Sequence, residues 1–254
     1  MDTLIKYNTV GKDQIYSEFI NDFGKAVNAC LPLVQSHIDT NKELYNYKIA
    51  GTTIQDRLAF ELLKLHEYTT TLKESKDKNE YPDLNYANEI AIDVKAFIIE
   101  RDNKRKTSCN NDMSPLNAWT NDVKKKSFKS HIQIWIGYRV NIDNSITITD
   151  FWVGHIWDFV GINDKKILQY REKDGNLRPK PIKDWGKSLL KDYDEFYEAV
   201  RETNIIRSSK ISQKHIEITL KSLKTDMERF EFIDTMINHL KSTRASIMPT
   251  VSAT

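Results

Sequence analysis

The chain has 254 residues, with 38 Lys and Arg against 36 Asp and Glu, so its formal charge is only +2. That length suits one domain with a sizeable core, alone or with appended recognition elements, and it gives a single-domain expectation for residues 1–254. The near-neutral balance excludes any argument for nucleic-acid binding from global charge alone. The two cysteines, Cys30 and Cys109, are far apart and lack metal-ligand spacing, which suits a reducing, cytoplasmic setting. No apolar run approaches membrane-spanning length, and the N-terminal segment has no signal-peptide core.

In chain order, Ile15, Phe19, Ile20, Phe23 and Val27 keep helical spacing, predicting a helix over residues 13–38 that Pro32 kinks or ends. A polar turn at Gly51 precedes a second helix over 52–68, with Ile54, Leu58, Leu62 and Leu65 on one stripe. Glu61 lies along that stripe. A carboxylate there needs either a Lys or Arg partner or a role as an accessory acid. Residues 73–80 read as a charged loop, and 101–114 as a polar loop without periodicity.

Residues 90–96 alternate as a strand, with Ile90, Ile92 and Val94 on one face and Ala91, Asp93 and Lys95 on the other. Just upstream stands Tyr81-Pro82-Asp83. Two carboxylates beside an ammonium form the kit for phosphodiester hydrolysis: hard oxygen ligands for Mg²⁺, and a cation beside the attacking water or the scissile phosphate. Pro-Asp, a short spacer and Asp-x-Lys form the PD-(D/E)XK nuclease signature, whose bland alternative is an edge strand with a solvated Asp–Lys pair.

Downstream, Lys124-Lys125-Lys126 opens a basic run that leads into Ile132–Val140, which is strand-like and rich in β-branched and aromatic residues. Such a run suits phosphate contacts or a solvated loop. Residues 145–153 alternate as a strand that should pair with 132–140 across the turn at 141–144. The segment 165–187, with Gly175, Pro179 and Pro181, reads as an excursion, and 193–201 as a short helix. From 213 to 240 the apolar residues recur at helical steps, predicting one long amphipathic helix for core packing or a dimer contact. The histidines show no ligand spacing, and no phosphate-cradling or acyl-hydrolase motif appears. The five tryptophans read as core or interface anchors.

The chain resembles the EcoRV-type type II restriction endonucleases over roughly residues 55–210. The likeness is carried by Phe60-Glu61-Leu62, Tyr81-Pro82-Asp83, Ala91-Ile92-Asp93-Val94-Lys95 and the block from His131 to Val140. Trp152-Val153, Asp194-Glu195-Phe196 and Arg207 continue it more weakly, while 96–119 and 171–181 depart from the pattern.

The resemblance implies an α/β fold with a restriction-endonuclease-like core: a central mixed β-sheet flanked by helices, the catalytic core at about 52–160, and DNA-recognition loops. It implies Asp83 and Asp93 as Mg²⁺ ligands with Glu61 as a secondary one, and Lys95 beside the attacking water. It further implies a homodimer cutting palindromic double-stranded DNA. The loop holding Lys78 and Asn79 takes the place of that family's minor-groove loop. Residues 171–179 take the place of its major-groove reader, offering Arg171, Lys173, Gly175, Asn176 and Arg178; an exposed turn built on Asp174-Gly175-Asn176 is the alternative. A repair or mismatch nicking nuclease and a catalytically silent DNA-binding protein are the competing readings.

Overall fold

A computed structural model describes residues 6–9, 16–44, 48–74 except 66 and 69, 81–101, 103–109, 111, 113, 116, 119 and 127–247; for 6–9 and 242–247 it describes the backbone only. The chain divides into two compact units, Met1–Asn204 and Ile205–Thr254.

The first unit is α/β, built on one mixed sheet of seven described strands. These are β1 (Lys6–Thr9), β2 (Leu72–Glu74), β3 (Leu84–Tyr86), β4 (Ile90–Arg101), β5 (Lys104–Arg105), β6 (Ser130–Val140) and β7 (Ile146–His155). The spatial order is β1-β7-β6-β4-β3-β2, with β5 hairpinned onto the end of β4. β4 and β6 are parallel, as are β1 and β7; β6–β7, β3–β4 and β2–β3 are antiparallel. The expected pairing of 132–140 with the strand after the 141–144 turn is present.

Alternation along β4 and β6 divides the apolar residues into two cores. Ile90, Ile92 and Val94 join Ile132, Ile134 and Ile136 under helices α1 (Ser17–Thr40) and α2 (Ala50–Lys64). Phe97, Ile99, Trp135 and Trp152 face the other way, against Trp119, Trp157, Trp185 and Phe196. All five tryptophans are buried. In β7 a register shift opposite Gly137 and Tyr138 inserts one residue, so Ile146 and Ile148 before it and Phe151 and Val153 after it serve the same core. At Gly137 a Cβ would stand 3.2 Å from the Ile99 side chain, so any larger residue there would press Ile99 to shift.

Several expectations are corrected. Pro32 does not end α1, which runs through it to Thr40. The helix forfeits one backbone bond at the proline, but Leu31, Val34 and Ile38 bury its second half. Gly51 belongs to the first turn of α2, and that helix stops at Lys64 because Leu65 is extended. Lys73 and Glu74 form strand β2, not loop, and Lys104–Arg105 pair with β4 inside the supposed loop at 101–114.

The helix expected at 193–201 is the start of α3 (Tyr193–Ser222), a 30-residue helix. Its first turns cover the tryptophan-rich core with Phe196, Ala199 and Val200. The second unit holds the rest of α3 and α4 (Asp226–Ile247), so the single helix expected over 213–240 is broken between Ser222 and Asp226. Its apolar residues do not pack a core: Met227 is 69% exposed, Phe230 68% and Leu240 62%. Among the described residues no helix is long and apolar enough to cross a membrane.

Candidate active site

The site forms where β3 gives out beside β4. The β3–β4 register ends at Leu84 opposite Ile92, leaving the next β4 N–H groups without a strand partner on that side. Asp83 fills the place with its side chain: Val94 donates its backbone N–H to Asp83 Oδ2 at 2.7 Å. The carboxylate thus substitutes for a ladder carbonyl and fixes its own position.

One residue before Val94, Asp93 stands on the face shared with Phe97 and Trp135 and is 5% exposed. Two residues on, Lys95 returns to the same face, and its Nζ lies 3.0 Å from both carboxylate oxygens of Asp93. Asp83, Asp93 and Lys95 are therefore brought together, as the sequence predicted.

Two carboxylates are set here beside one ammonium. Burial pushes the Asp83 carboxyl up and the charge of Asp93 pushes it further; Lys95 and the Val94 N–H pull back only in part, so it sits at about 7. The nearby Asp93 carboxyl thus favours the protonated form of Asp83. Burial draws Lys95 downward, but Asp93 and Asp83 together hold the ammonium above its ordinary value. The cluster carries a deficit of positive charge. A hard divalent cation fits that deficit, since Mg²⁺ is commonly held by one or two carboxylates with water and substrate phosphate completing the shell.

The segment before Asp83 is anchored by aromatics. Tyr81 Oη and His131 Nδ1 are 2.6 Å apart, and the fully buried His131 ring stacks on Tyr193 at 4.9 Å. His131 thereby ties Tyr81-Pro82-Asp83 to the first turn of α3. Sequence reasoning cited His131 only as part of a strand and overlooked Gln133, which the β4–β6 register sets directly beside Asp93. The available signal was the alternation, which places polar His131 and Gln133 at inward positions of a buried strand.

Glu61 lies elsewhere. It is buried and pairs with Arg57 at 2.5 Å and Lys64 at 3.8 Å along α2. It also adds to the rise of the Cys30 thiol, which burial drives to about 11, so its neighbourhood is α1. α2 packs on the sheet face opposite Asp93 and Lys95. Among the described residues no three His, Cys, Asp or Glu side chains gather as a metal site.

In the 165–187 excursion, the turn at 171–176 is closed by Gly175 N–H to Arg171 O (2.7 Å) and Arg171 N–H to Asn176 O (2.8 Å). Gly175 has φ 76°, which explains the glycine, and it is buried with its carbonyl accepting the Leu116 N–H at 3.0 Å. Arg171 is clasped to Asp174, whose carboxyl it holds down at about 2. Lys173 is exposed, whereas Asn176 and Arg178 are half-buried. Lys78, Asn79, Lys124, Lys125 and Lys126 lie outside the described residues.

The fold is similar to that of the NlaIV restriction endonuclease, with 19% sequence identity, a TM-score of 0.46, and coverage of 61% of this chain and 64% of that one. The match thus spans under two thirds of that protein's length. No family model matches the sequence, and no curated protein matches it.

Proposed function

We propose that the protein is a Mg²⁺-dependent DNA endonuclease, and specifically a type II restriction enzyme that cuts a palindromic duplex as a homodimer. The observation that carries this reading is the trio itself: two adjoining carboxylates, one pushed up to about 7, with a lysine ammonium 3.0 Å from the other.

Asp83 and Asp93 would hold the metal. Bound there, Mg²⁺ lowers the pKa of a water and offsets charge on the phosphoryl oxygens. Asp83 must release its proton before it can serve, so metal binding is coupled to proton loss near neutrality. Both carboxylates favour the charged form of Lys95 in the metal-free site; it would orient or deprotonate the attacking water, or neutralise the phosphate. His131, through Tyr81, holds the Asp83 segment in place.

Two-fold symmetry would set one trio against each strand of a palindrome. Met227, Phe230 and Leu240, exposed on α4, give the second unit apolar surface suited to a contact between copies. Residues 171–179, with the basic run at Lys124–Lys126, would supply base reading and phosphate contacts. Supercoiled plasmid incubated with Mg²⁺ tests the proposal. Discrete double-strand fragments support restriction, nicked circles point to a nicking nuclease, and intact plasmid from many sequence contexts overturns the enzymatic reading.

A further inference from the structure

We infer that Gln133 supplies a third, uncharged oxygen to the cation site formed by Asp83 and Asp93. The inference rests on the metal-dependent reading above and names a residue that reading does not use.

The parallel register pairs Gln133 with Asp93, and alternation puts both side chains on the same face, since Ile132 and Ile134 serve the opposite core. Asp83 adjoins Asp93 on its other side, immediately before β3. The three residues thus form one cross-strand row: carboxylate, carboxylate, carboxamide.

Gln133 is 2% exposed, and its Oε1 is fully buried with no hydrogen-bond partner among the described residues. A buried acceptor without a donor is unfavourable, and its occurrence in a folded protein asks for a water or ion to meet it. Among the described residues no side chain donates to this oxygen, and the Lys95 ammonium lies 3.0 Å from both carboxylate oxygens of Asp93. A hard divalent cation, directly or through its water, satisfies the amide oxygen and both carboxylates at once. The choice of an amide also has a reason. A third carboxylate in this row would raise the charge deficit that already burdens Asp83, whereas a neutral oxygen adds a ligand without adding repulsion.

The test is calorimetric titration of the full-length protein with Ca²⁺ and with Mg²⁺, without DNA, accompanied by melting temperatures with and without metal. Gln133→Met keeps the shape and removes the oxygen; it should weaken divalent binding about 10–100-fold and leave the metal-free melting temperature at or above that of the wild type. Gln133→Glu should bind at least as tightly as wild type at pH 8. Asp93→Asn is the reference. If Asp93→Asn abolishes binding while Gln133→Met binds like wild type, this inference alone is overturned. If wild type and Asp93→Asn bind metal equally or not at all, the metal reading of the trio fails and this inference with it. Should Gln133→Met not fold, weaker binding by Gln133→Glu than by wild type overturns the assignment.

Discussion

Asp83 accepts the Val94 backbone N–H at 2.7 Å, so the carboxylate that closes the end of β3 is also the one pressed against Asp93. The same contact that positions the group leaves it under-neutralised. Its carboxyl sits at about 7, above the ordinary 3.8, so between those values the folded protein holds a proton that the unfolded chain has released. The contribution of Asp83 to stability therefore falls as pH rises from about 4 to about 7 and is level above that. Asp83→Asn keeps an oxygen for Val94 and removes the charge. We expect the metal-free melting temperature of the wild type to decline across that window and the variant's to decline less, with the variant more stable at pH 8 by on the order of 1–3 kcal/mol. Parallel curves for the two proteins would show that Asp83 does not carry the effect.

Removing Asp93 or Lys95 should abolish the chemistry without undoing the fold. Asp93→Ala and Lys95→Ala are expected to lower the cleavage rate by on the order of 10²–10³-fold or more. Far-ultraviolet circular dichroism should be unchanged, and duplex binding should persist in part. Cleavage of plasmid at a near-normal rate by either variant would remove that residue from the mechanism.

What the sequence made legible was the periodic part. Strict alternation over Ile90–Lys95 disclosed both the strand and the face bearing Asp93 and Lys95, because a two-residue period leaves little freedom once one face is apolar. The partners across strands were not legible. Gln133 meets Asp93 through a parallel β4–β6 pairing separated by nearly forty residues, and a polar residue in a buried strand gives no hint of which neighbour it faces. Glu61 shows a related limit: helical spacing placed it on a buried stripe and left an Arg or Lys partner and an accessory role both open, and the structure shows the partner as Arg57, one turn earlier. The 213–240 segment failed because its apolar spacing continues across the break at 223–225, where chain geometry rather than periodicity changes.

The position of Glu61 yields a discriminating experiment. Its pairing with Arg57 and Lys64 on α2 makes it a contributor to stability. Glu61→Gln should cost about 1–3 kcal/mol of unfolding free energy, since a mostly buried guanidinium loses its charged acceptor. Cleavage by the folded variant should stay within a few-fold of wild type. Chemical denaturation and plasmid cleavage under folded conditions separate the two effects. A loss of a hundredfold or more in rate with unchanged stability would instead make Glu61 an accessory acid of the reaction.

The proposed division of labour between sequence reading and general DNA attachment can be tested with the full-length protein. Asn176 and Arg178 are half-buried on a turn pinned to the core through Leu116, a rigid mount suited to base edges. Arg178→Ala or Asn176→Ala should cost about 1–3 kcal/mol of discrimination at one base pair in each half-site. Neutralising Lys124, Lys125 or Lys126 should weaken binding to cognate and non-cognate duplexes alike and make the salt dependence shallower, because phosphate contacts release counterions whatever the sequence. Titrations of both duplexes over a range of salt, with Ca²⁺ in place of Mg²⁺ to suppress cleavage, measure the two quantities separately. Equal loss of affinity for both duplexes in the 176 and 178 variants would take sequence reading away from this loop, and a change of base preference in the lysine variants would move it to the basic run.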